Sequence, residues 1–243
     1  MNWARRRALP ILGAGVVAAI LFAALLIPRE PKPLPTRPPG ERPTLLLLTS
    51  LPLLFGEGFS MEDMGSPALK ALEARYRVVP ISVTDPSELA KGRLLLMAQP
   101  LAQPAEDLVA LDHWVRGGGR LVLLADPALE WPSARPLGDP LRPPPMFMDT
   151  GLLGHWGLRL DAPDRRGAAT RKLGGFDVIT DSPGQPFGRC AIAADRLVAH
   201  CRLDKGEAIV VADADLLDTA RLGPDASHNL DGLLAELASL ESR

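Results

Sequence analysis

The residues of this chain that could do chemistry are mostly carboxylates placed directly after apolar runs. Asp126 follows residues 121–125, and Asp213 and Asp215 follow residues 208–212. Such runs are typical of strands buried on both faces of a parallel sheet, and open α/β sheets bind ligands beyond the carboxyl ends of their strands. The pattern therefore predicts that these carboxylates meet at one edge of a sheet. The full candidate set for binding a ligand or partner is Ser50, Glu57, Asp126, Asp213, Asp215 and His228.

Converging carboxylates allow two interpretations. Their hard oxygen atoms could hold a divalent cation and support a metal- or carboxylate-dependent hydrolase. Alternatively, each aspartate accepts hydrogen bonds from a loop or a helix start, as aspartates after strands often do, and we favour this interpretation. Asp213, Asp215 and Asp218 also do not match a calcium-binding loop, because its glycine and distal glutamate are missing. We therefore predict neither a metal nor a cofactor.

Covalent catalysis is not indicated either. A nucleophilic serine would stand on a sharp turn of the form G-x-S-x-G after a strand, and no apolar run here is followed by one. Asp126 and Pro127 follow the run at 121–125 instead. The glycines at 117–119 precede that strand, so they do not form a phosphate-binding loop. The sequence favours a binding module over an enzyme.

Cys190 and Cys201 are the 2 cysteines of the chain. Residues 194–196 separate two short apolar stretches, 190–193 and 197–201, and this pattern predicts a β-hairpin with one cysteine on each arm. In an oxidising compartment the two cysteines are expected to form a disulfide. Two separately buried thiols are the alternative.

The first part of the chain has the pattern of a membrane anchor. A basic segment, residues 1–7, precedes residues 8–27, which carry no charge and as a helix rising about 1.5 Å per residue could cross the hydrocarbon core. No cleavage site of small residues follows, so we predict an uncleaved transmembrane anchor rather than a signal peptide. The basic segment should stay in the cytoplasm, which predicts a single-pass inner-membrane protein with its bulk in the periplasm. Residues 28–43 are rich in proline and predict an extended linker.

Residues 44–243 predict one periplasmic α/β domain. Buried strands are expected at 45–48, 78–83, 94–98 and 208–212, and the order of strands and helices is typical of a mostly parallel, doubly wound sheet with the hairpin added to it. Asn229 is expected to cap a last amphipathic helix. The formal net charge of -2 argues against nucleic acid as a partner, since binding to phosphates needs a basic face.

The order of three stretches resembles the GldG-like family, whose members are uncharacterised domains associated with ABC-type transport systems and gliding motility. The stretches are residues 44–58, residues 111–127, and residues 205–217 followed by 228–237. This resemblance implies a glutamine amidotransferase-like or flavodoxin-like fold, with one transmembrane helix before it. In class I glutamine amidotransferases a nucleophilic cysteine follows the strand that corresponds to 121–125, whereas Asp126 stands there in this chain.

The resemblance also implies partners, namely the ATPase and permease of an ABC transporter. Taken together, the patterns predict a membrane-anchored, extracytoplasmic accessory module that binds without catalysis. Two alternatives are an envelope hydrolase that uses the carboxylates, with or without a metal, and an envelope scaffold that binds another protein.

Overall fold

The computed structural model describes residues 31–56 and 65–242. The predicted basic segment, residues 1–7, and the predicted anchor, residues 8–27, lie outside the described residues, as does Glu57. Within the described ranges, no helix is both long enough and apolar enough to span a bilayer.

A 7-stranded mixed sheet lies at the centre of the body, and two small 2-stranded sheets accompany it. The strands in chain order are β1 (Thr44–Thr49), β2 (Arg77–Pro80), β3 (Leu94–Ala98), β4 (Arg120–Leu124), β5 (Leu158–Asp161), β6 (Ala168–Leu173), β7 (Phe176–Asp181), β8 (Gln185–Gly188), β9 (Ala191–Ile192), β10 (Val198–Leu203) and β11 (Gly206–Val211). The helices are α1 (Pro67–Glu73), α2 (Pro86–Leu89), α3 (Ala105–Arg116), α4 (Leu152–His155), α5 (Thr219–Leu222) and α6 (Asn229–Glu241).

The topology corrects the predicted fold class. The order of the central sheet is β2-β1-β3-β4-β11-β10-β9, and β10 runs antiparallel to both β11 and β9. The prediction of a mostly parallel, doubly wound sheet of the glutamine amidotransferase-like or flavodoxin-like kind is therefore wrong, whereas the transmembrane helix predicted before it lies outside the described residues. A doubly wound fold needs a crossover helix between parallel strands. Between β4 and β11 the chain instead forms the pairs β5–β8 and β6–β7 and only the short helix α4.

Two apolar layers cover the two faces of the central sheet. On one face, α1, α6 and the β6–β7 pair contribute Leu72, Leu237 and Val178 to a buried cluster. On the other face, α3 contributes Leu111 and Val115 to a second cluster. The strands between the two layers are covered on both faces. In β3 and β11, for example, every residue is buried. This burial explains why their sequences are apolar runs without alternation.

The turn between α3 and β4 depends on glycine. Gly118 has φ 115°, a left-handed conformation that a β-carbon disfavours. A β-carbon on Gly119 would lie 2.3 Å from the Trp114 ring. The glycines therefore let α3 return directly into β4.

The predicted linker contacts the body over much of its length. Arg37 donates its backbone amide to the Ala74 carbonyl at 2.9 Å, and its guanidinium forms an ion pair with Glu241 at 2.8 Å. Leu34 packs against the first apolar cluster. Residues 34–42 are thus held by the body rather than extending from it as a free spacer.

The last helix begins differently from the prediction. Asn229 is its first residue, with His228 at the N-cap position and no side-chain cap bond. The Asn229 amide instead donates to the carbonyls of Ile179 and Leu216 and accepts from the Ile179 amide. These hydrogen bonds join β7 to the segment after β11, and Asn229 is fully buried between them.

Candidate functional site

The carboxyl edge of the central sheet gathers the three predicted aspartates. Asp126 follows β4, Asp213 follows β11, and Asp215 opens a short 3-10 helix (Asp215–Leu217). Because β4 and β11 are parallel neighbours, their carboxyl ends meet. All three side chains belong to residues that are 0% exposed. The structure thus brings these residues together, but beneath the surface.

Asp126 is held by backbone groups on both sides. Its Oδ1 accepts from the Ala128 amide at 2.8 Å, and its Oδ2 accepts from the Ala214 amide at 2.9 Å. The first bond tightens the turn that follows β4, whereas the second joins the ends of β4 and β11. Each carboxylate oxygen of Asp126 is therefore committed to the protein backbone.

Asp213 has the same kind of surroundings. Its Oδ1 accepts from the Leu216 amide at 2.7 Å, and its Oδ2 accepts from the Asp181 amide at 3.1 Å. The side chain thus fixes the start of the 3-10 helix and holds the end of β7 next to the central sheet. This is the cap role that the sequence favoured for an aspartate after a strand.

Asp215 is the member of the cluster that has a cationic partner. Its Oδ2 accepts from the Glu130 amide at 2.7 Å, and its Oδ1 accepts from the Arg221 guanidinium at 2.8 Å. Arg221 also donates to Asp181 at 2.7 Å and to Asp218 at 3.3 Å. One arginine therefore donates to three carboxylates at the rim of the cluster.

Burial changes the acidity of these groups. It raises the pKa of Asp126 to about 6 and the pKa of Asp215 to about 7, although backbone hydrogen bonds oppose both changes. The pKa of Asp213 lies well above its ordinary value because of burial first, and then because of the negative charges of Asp126 and Asp215. The cluster therefore binds protons at pH values at which isolated aspartates are ionised.

The other predicted residues have separate positions. Ser50 follows β1 and donates to the Gln99 carbonyl, so it lies on the same edge as the aspartates. His228 is more exposed, stacks on the Phe176 ring with centroids 5.7 Å apart, and lies 3.2 Å from Asp231. No hydrogen bond between described residues joins His228 to the three aspartates.

Sequence reasoning missed two residues of this edge. Gln99 is fully buried with φ 45°; its side chain accepts from the Asp126 amide at 2.9 Å and donates to the Asp126 carbonyl at 3.1 Å. Its position directly after the apolar run of β3 is a signal that could have identified it, since Asp126 stands in the same relation to β4. Arg221 lies in α5 and does not follow an apolar run, so the sequence around it gives no such signal.

The chemical capacity of this edge is limited by its hydrogen bonds. Asp126 and Asp213 direct both oxygens to backbone amides, and Asp215 directs its two oxygens to an amide and an arginine. Across residues 31–56 and 65–242, no group of three or more His, Cys, Asp or Glu side chains has an arrangement suited to a metal ion. These hydrogen bonds hold the ends of β4, β7 and β11 together.

The cysteines lie at the edge of the central sheet that ends in β9. Cys190 and Cys201 form a disulfide with an S–S distance of 1.96 Å and a Cα–Cα distance of 4.7 Å. β9 and β10 pair antiparallel between these residues, with Ala191 opposite His200. The bond therefore closes the hairpin at the edge of the central sheet.

No protein-family model and no curated protein matches the sequence of the chain. Among solved structures, the chain is similar to one titled the mmIFT52 N-terminal domain, with a TM-score of 0.54 at 12% identity over 81% of this chain and 97% of that one. This likeness extends to the fold alone, and it agrees with a mixed α/β architecture.

Two further structures have lower similarity. The exo-beta-1,4-mannosidase Op5Man5 from Opitutaceae bacterium strain TAV5 gives a TM-score of 0.47 at 12% identity over 93% of this chain. A cytoplasmic protein from Salmonella typhimurium, STM3548, gives 0.48 at 11% identity over 82% of this chain and 98% of its own. The chain spans 38% of the length of the mannosidase.

Proposed function

We propose that this chain is a membrane-anchored, extracytoplasmic accessory module that binds another protein and catalyses no reaction. The observation that carries the proposal is the closed carboxyl edge of the sheet. Asp126, Asp213 and Asp215 are fully buried there, and their oxygens accept from groups of the protein itself. A catalytic carboxylate must come within hydrogen-bond reach of its substrate, and these side chains have no open path to one.

Exposed apolar side chains support a protein as the ligand. Residues 127–150 form an irregular, proline-rich segment, which we name the excursion. It exposes Leu137 by 79% and Leu141 by 59%. Met146 and Met148, in the same excursion, are exposed by 51% and 54%. A contiguous exposed apolar patch is typical of a surface that a partner covers, and we propose that these four side chains form one.

Two features support the location in the periplasm at the inner membrane. Residues 8–27 carry no charge and follow the basic segment 1–7, as in an uncleaved anchor with the body outside the cytoplasm. The disulfide between Cys190 and Cys201 fits an oxidising compartment. The association with the ATPase and permease of an ABC-type transport system is proposed from the GldG-like resemblance.

A capture experiment on the full chain in its native membranes tests this function. We expect a photo-crosslinking residue placed in the excursion to capture a transporter subunit, identified by mass spectrometry. Leu137→Ser with Leu141→Ser should reduce the capture, whereas Val109→Ser, which changes an exposed apolar residue on α3, should not. If the double variant, the Val109→Ser variant and the unmodified chain all give the same crosslinks, the excursion is not the binding surface. If the captured proteins include no transporter subunit, the accessory role fails.

The hydrolase alternative has one observation in its favour. The raised pKa values of Asp126 and Asp215 are a feature that active sites share with buried structural clusters. A screen of the full chain in detergent against ester, amide and phosphoester substrates, with and without divalent metal, distinguishes the hydrolase from the non-catalytic module. Turnover that disappears in Asp213→Asn, while the variant stays folded by circular dichroism, would establish the hydrolase and reject the non-catalytic proposal.

A further inference from the structure

One face of the β5–β8 pair holds two arginines against a single aromatic ring. Arg159 on β5 is the register partner of Phe187 on β8, so the two side chains leave the same face. The Arg159 Cζ atom lies 5.3 Å from the centroid of the Phe187 ring, and the Cζ atom of Arg196, in the turn between β9 and β10, lies 4.8 Å from it. Through their common ring the two Cζ atoms are therefore at most about 10 Å apart. We name Arg159, Phe187 and Arg196 the arginine–phenylalanine cluster.

Arg196 has no negative partner among the residues that the structure describes. It is exposed, and its guanidinium donates to the neutral side-chain oxygen of Gln185 at 3.3 Å. Arg159 forms an ion pair with Asp161 at 2.6 Å, but both side chains are exposed to solvent, and such pairs are weak. The cluster therefore offers one guanidinium without a carboxylate and a second one whose ion pair a ligand can displace.

The backbone of Arg196 has a conformation that favours glycine over arginine. Its φ is 57°, in the left-handed region that a β-carbon disfavours. The turn around it is fixed, because the Arg196 amide donates to the Ala193 carbonyl at 2.9 Å and the disulfide between Cys190 and Cys201 closes the same hairpin. An exposed arginine held in this region points to a function of its side chain.

A guanidinium stacked on a ring suits a carboxylate ligand. The ring holds the guanidinium plane, while the N–H groups at its edge can donate in pairs to a planar carboxylate. Negative charges also border the cluster: Asp161 is the register partner of Gln185, and Asp164 accepts from the Gln185 side chain at 2.6 Å. These carboxylates would repel a dense array of phosphates, whereas a single carboxylate can approach Arg196. Arginine and aromatic residues are also common among the side chains that carry most of the binding energy of protein interfaces.

We propose that the arginine–phenylalanine cluster binds a carboxylate side chain in an acidic segment of a partner protein. This inference goes beyond the proposed function, because it depends neither on the excursion nor on a transporter as the partner. Arg196 anchors the carboxylate through its edge N–H groups, and Arg159 adds a second positive charge on the same face. The Phe187 ring holds both guanidinium groups before the partner arrives, so less side-chain freedom is lost on binding.

A peptide titration of the full chain in neutral detergent tests this inference. The probe is a fluorescent synthetic peptide that alternates glutamate with serine, and a second peptide carries glutamine in place of every glutamate. We expect fluorescence anisotropy at low ionic strength to show binding of the glutamate peptide and no binding of the glutamine peptide. Arg196→Gln should weaken the binding on the order of 10-fold, because hydrogen bonds to a charged group are lost. Arg93→Gln is the matched control and should leave the binding unchanged, since Arg93 is exposed before β3 and has no ion pair among the described residues.

Arg196→Gly separates recognition from folding. Glycine adopts the left-handed backbone without strain, so this variant should unfold at the same or a higher temperature and still lose the glutamate peptide. No binding of the glutamate peptide by the unmodified chain, or equal binding of the glutamine peptide, would overturn the proposal. Equal losses of binding in Arg196→Gln and Arg93→Gln would show a non-specific charge effect and would also overturn it. A single-stranded oligonucleotide that binds more tightly than the peptide, and is lost in Arg196→Gln, would assign the cluster to phosphates and reject a protein carboxylate as its ligand.

Discussion

The Asp126 carboxylate accepts a hydrogen bond from the Ala214 amide at 2.9 Å, across a sequence separation of 88 residues. This bond joins the ends of β4 and β11 at the edge where an open α/β sheet would bind a ligand. The second oxygen of Asp126 accepts from the Ala128 amide, at the first residues of the excursion. A single buried side chain thus closes the edge and directs the chain that leaves it.

Asp126→Asn should destabilise the fold rather than weaken an exposed site. An asparagine side chain has one oxygen, so its amide nitrogen would face the amide of Ala128 or Ala214 and leave a buried donor without an acceptor. The expected loss in the free energy of unfolding is about 1 to 3 kcal/mol. Urea denaturation of the full chain in detergent measures it, with Asp225→Asn as the exposed control. Equal stability of both variants would contradict the structural role.

The raised pKa values predict an unusual dependence of stability on pH. A carboxyl whose pKa is higher in the folded state, here about 6 for Asp126 and about 7 for Asp215, contributes stability that is complete below its unfolded pKa of about 3.9. That contribution is lost as the pH rises through 6 to 7. Thermal unfolding should therefore show higher stability at pH 5 than at pH 8, by on the order of 2 kcal/mol. In Asp215→Asn the difference should shrink, and an unchanged difference would exclude Asp215 as its source.

Arg221 should matter most at high pH. Arg221→Gln removes charge-assisted bonds to Asp215 at 2.8 Å and to Asp181 at 2.7 Å, which should cost about 2 to 3 kcal/mol. The cost should be larger at pH 8 than at pH 5, because a protonated Asp215 no longer needs a cation. Arg166→Gln removes an exposed ion pair with Glu130 and should cost less than about 1 kcal/mol. Similar losses in the free energy of unfolding for Arg221→Gln and Arg166→Gln would contradict the view that burial makes the Arg221 ion pairs stronger than an exposed one.

Apolar runs were a good guide to the central strands. The run at 94–98 coincides with β3, and the runs at 45–48 and 121–125 match β1 and β4 to within a residue at each end. These strands are buried on both faces, so their sequences need no alternation. The hairpin of β6 and β7 was missed although Gly174 and Gly175, a two-residue turn, separate strands in which exposed and buried residues alternate. That hairpin forms a separate sheet, and the mixed character of the central sheet comes instead from β10, which runs antiparallel to β11 and β9.

The meeting of the aspartates was predictable, but their burial was not. Parallel neighbours bring their carboxyl ends together, so Asp126 and Asp213 had to be close. What covers them comes from distant segments with no periodic pattern. The Phe147 amide donates to the Asp126 carbonyl at 2.6 Å, and a β-carbon on Gly184 would lie 2.3 Å from the Pro127 ring. Such contacts depend on how the excursion folds back, which local sequence does not determine.

The disulfide should be present in the protein from its own cells and should stabilise the hairpin of β9 and β10. Intact-mass measurement after alkylation of the unreduced, unfolded protein should find both cysteines protected, and reduction should expose them. Cys190→Ala should lower the free energy of unfolding by about 2 to 3 kcal/mol, because Cys190 and Cys201 close a loop of sequence separation 11. In the presence of reductant the variant and the unmodified chain should become nearly equal in stability. Two alkylated cysteines without reductant would show that the bond is absent and would remove one support for a location outside the cytoplasm.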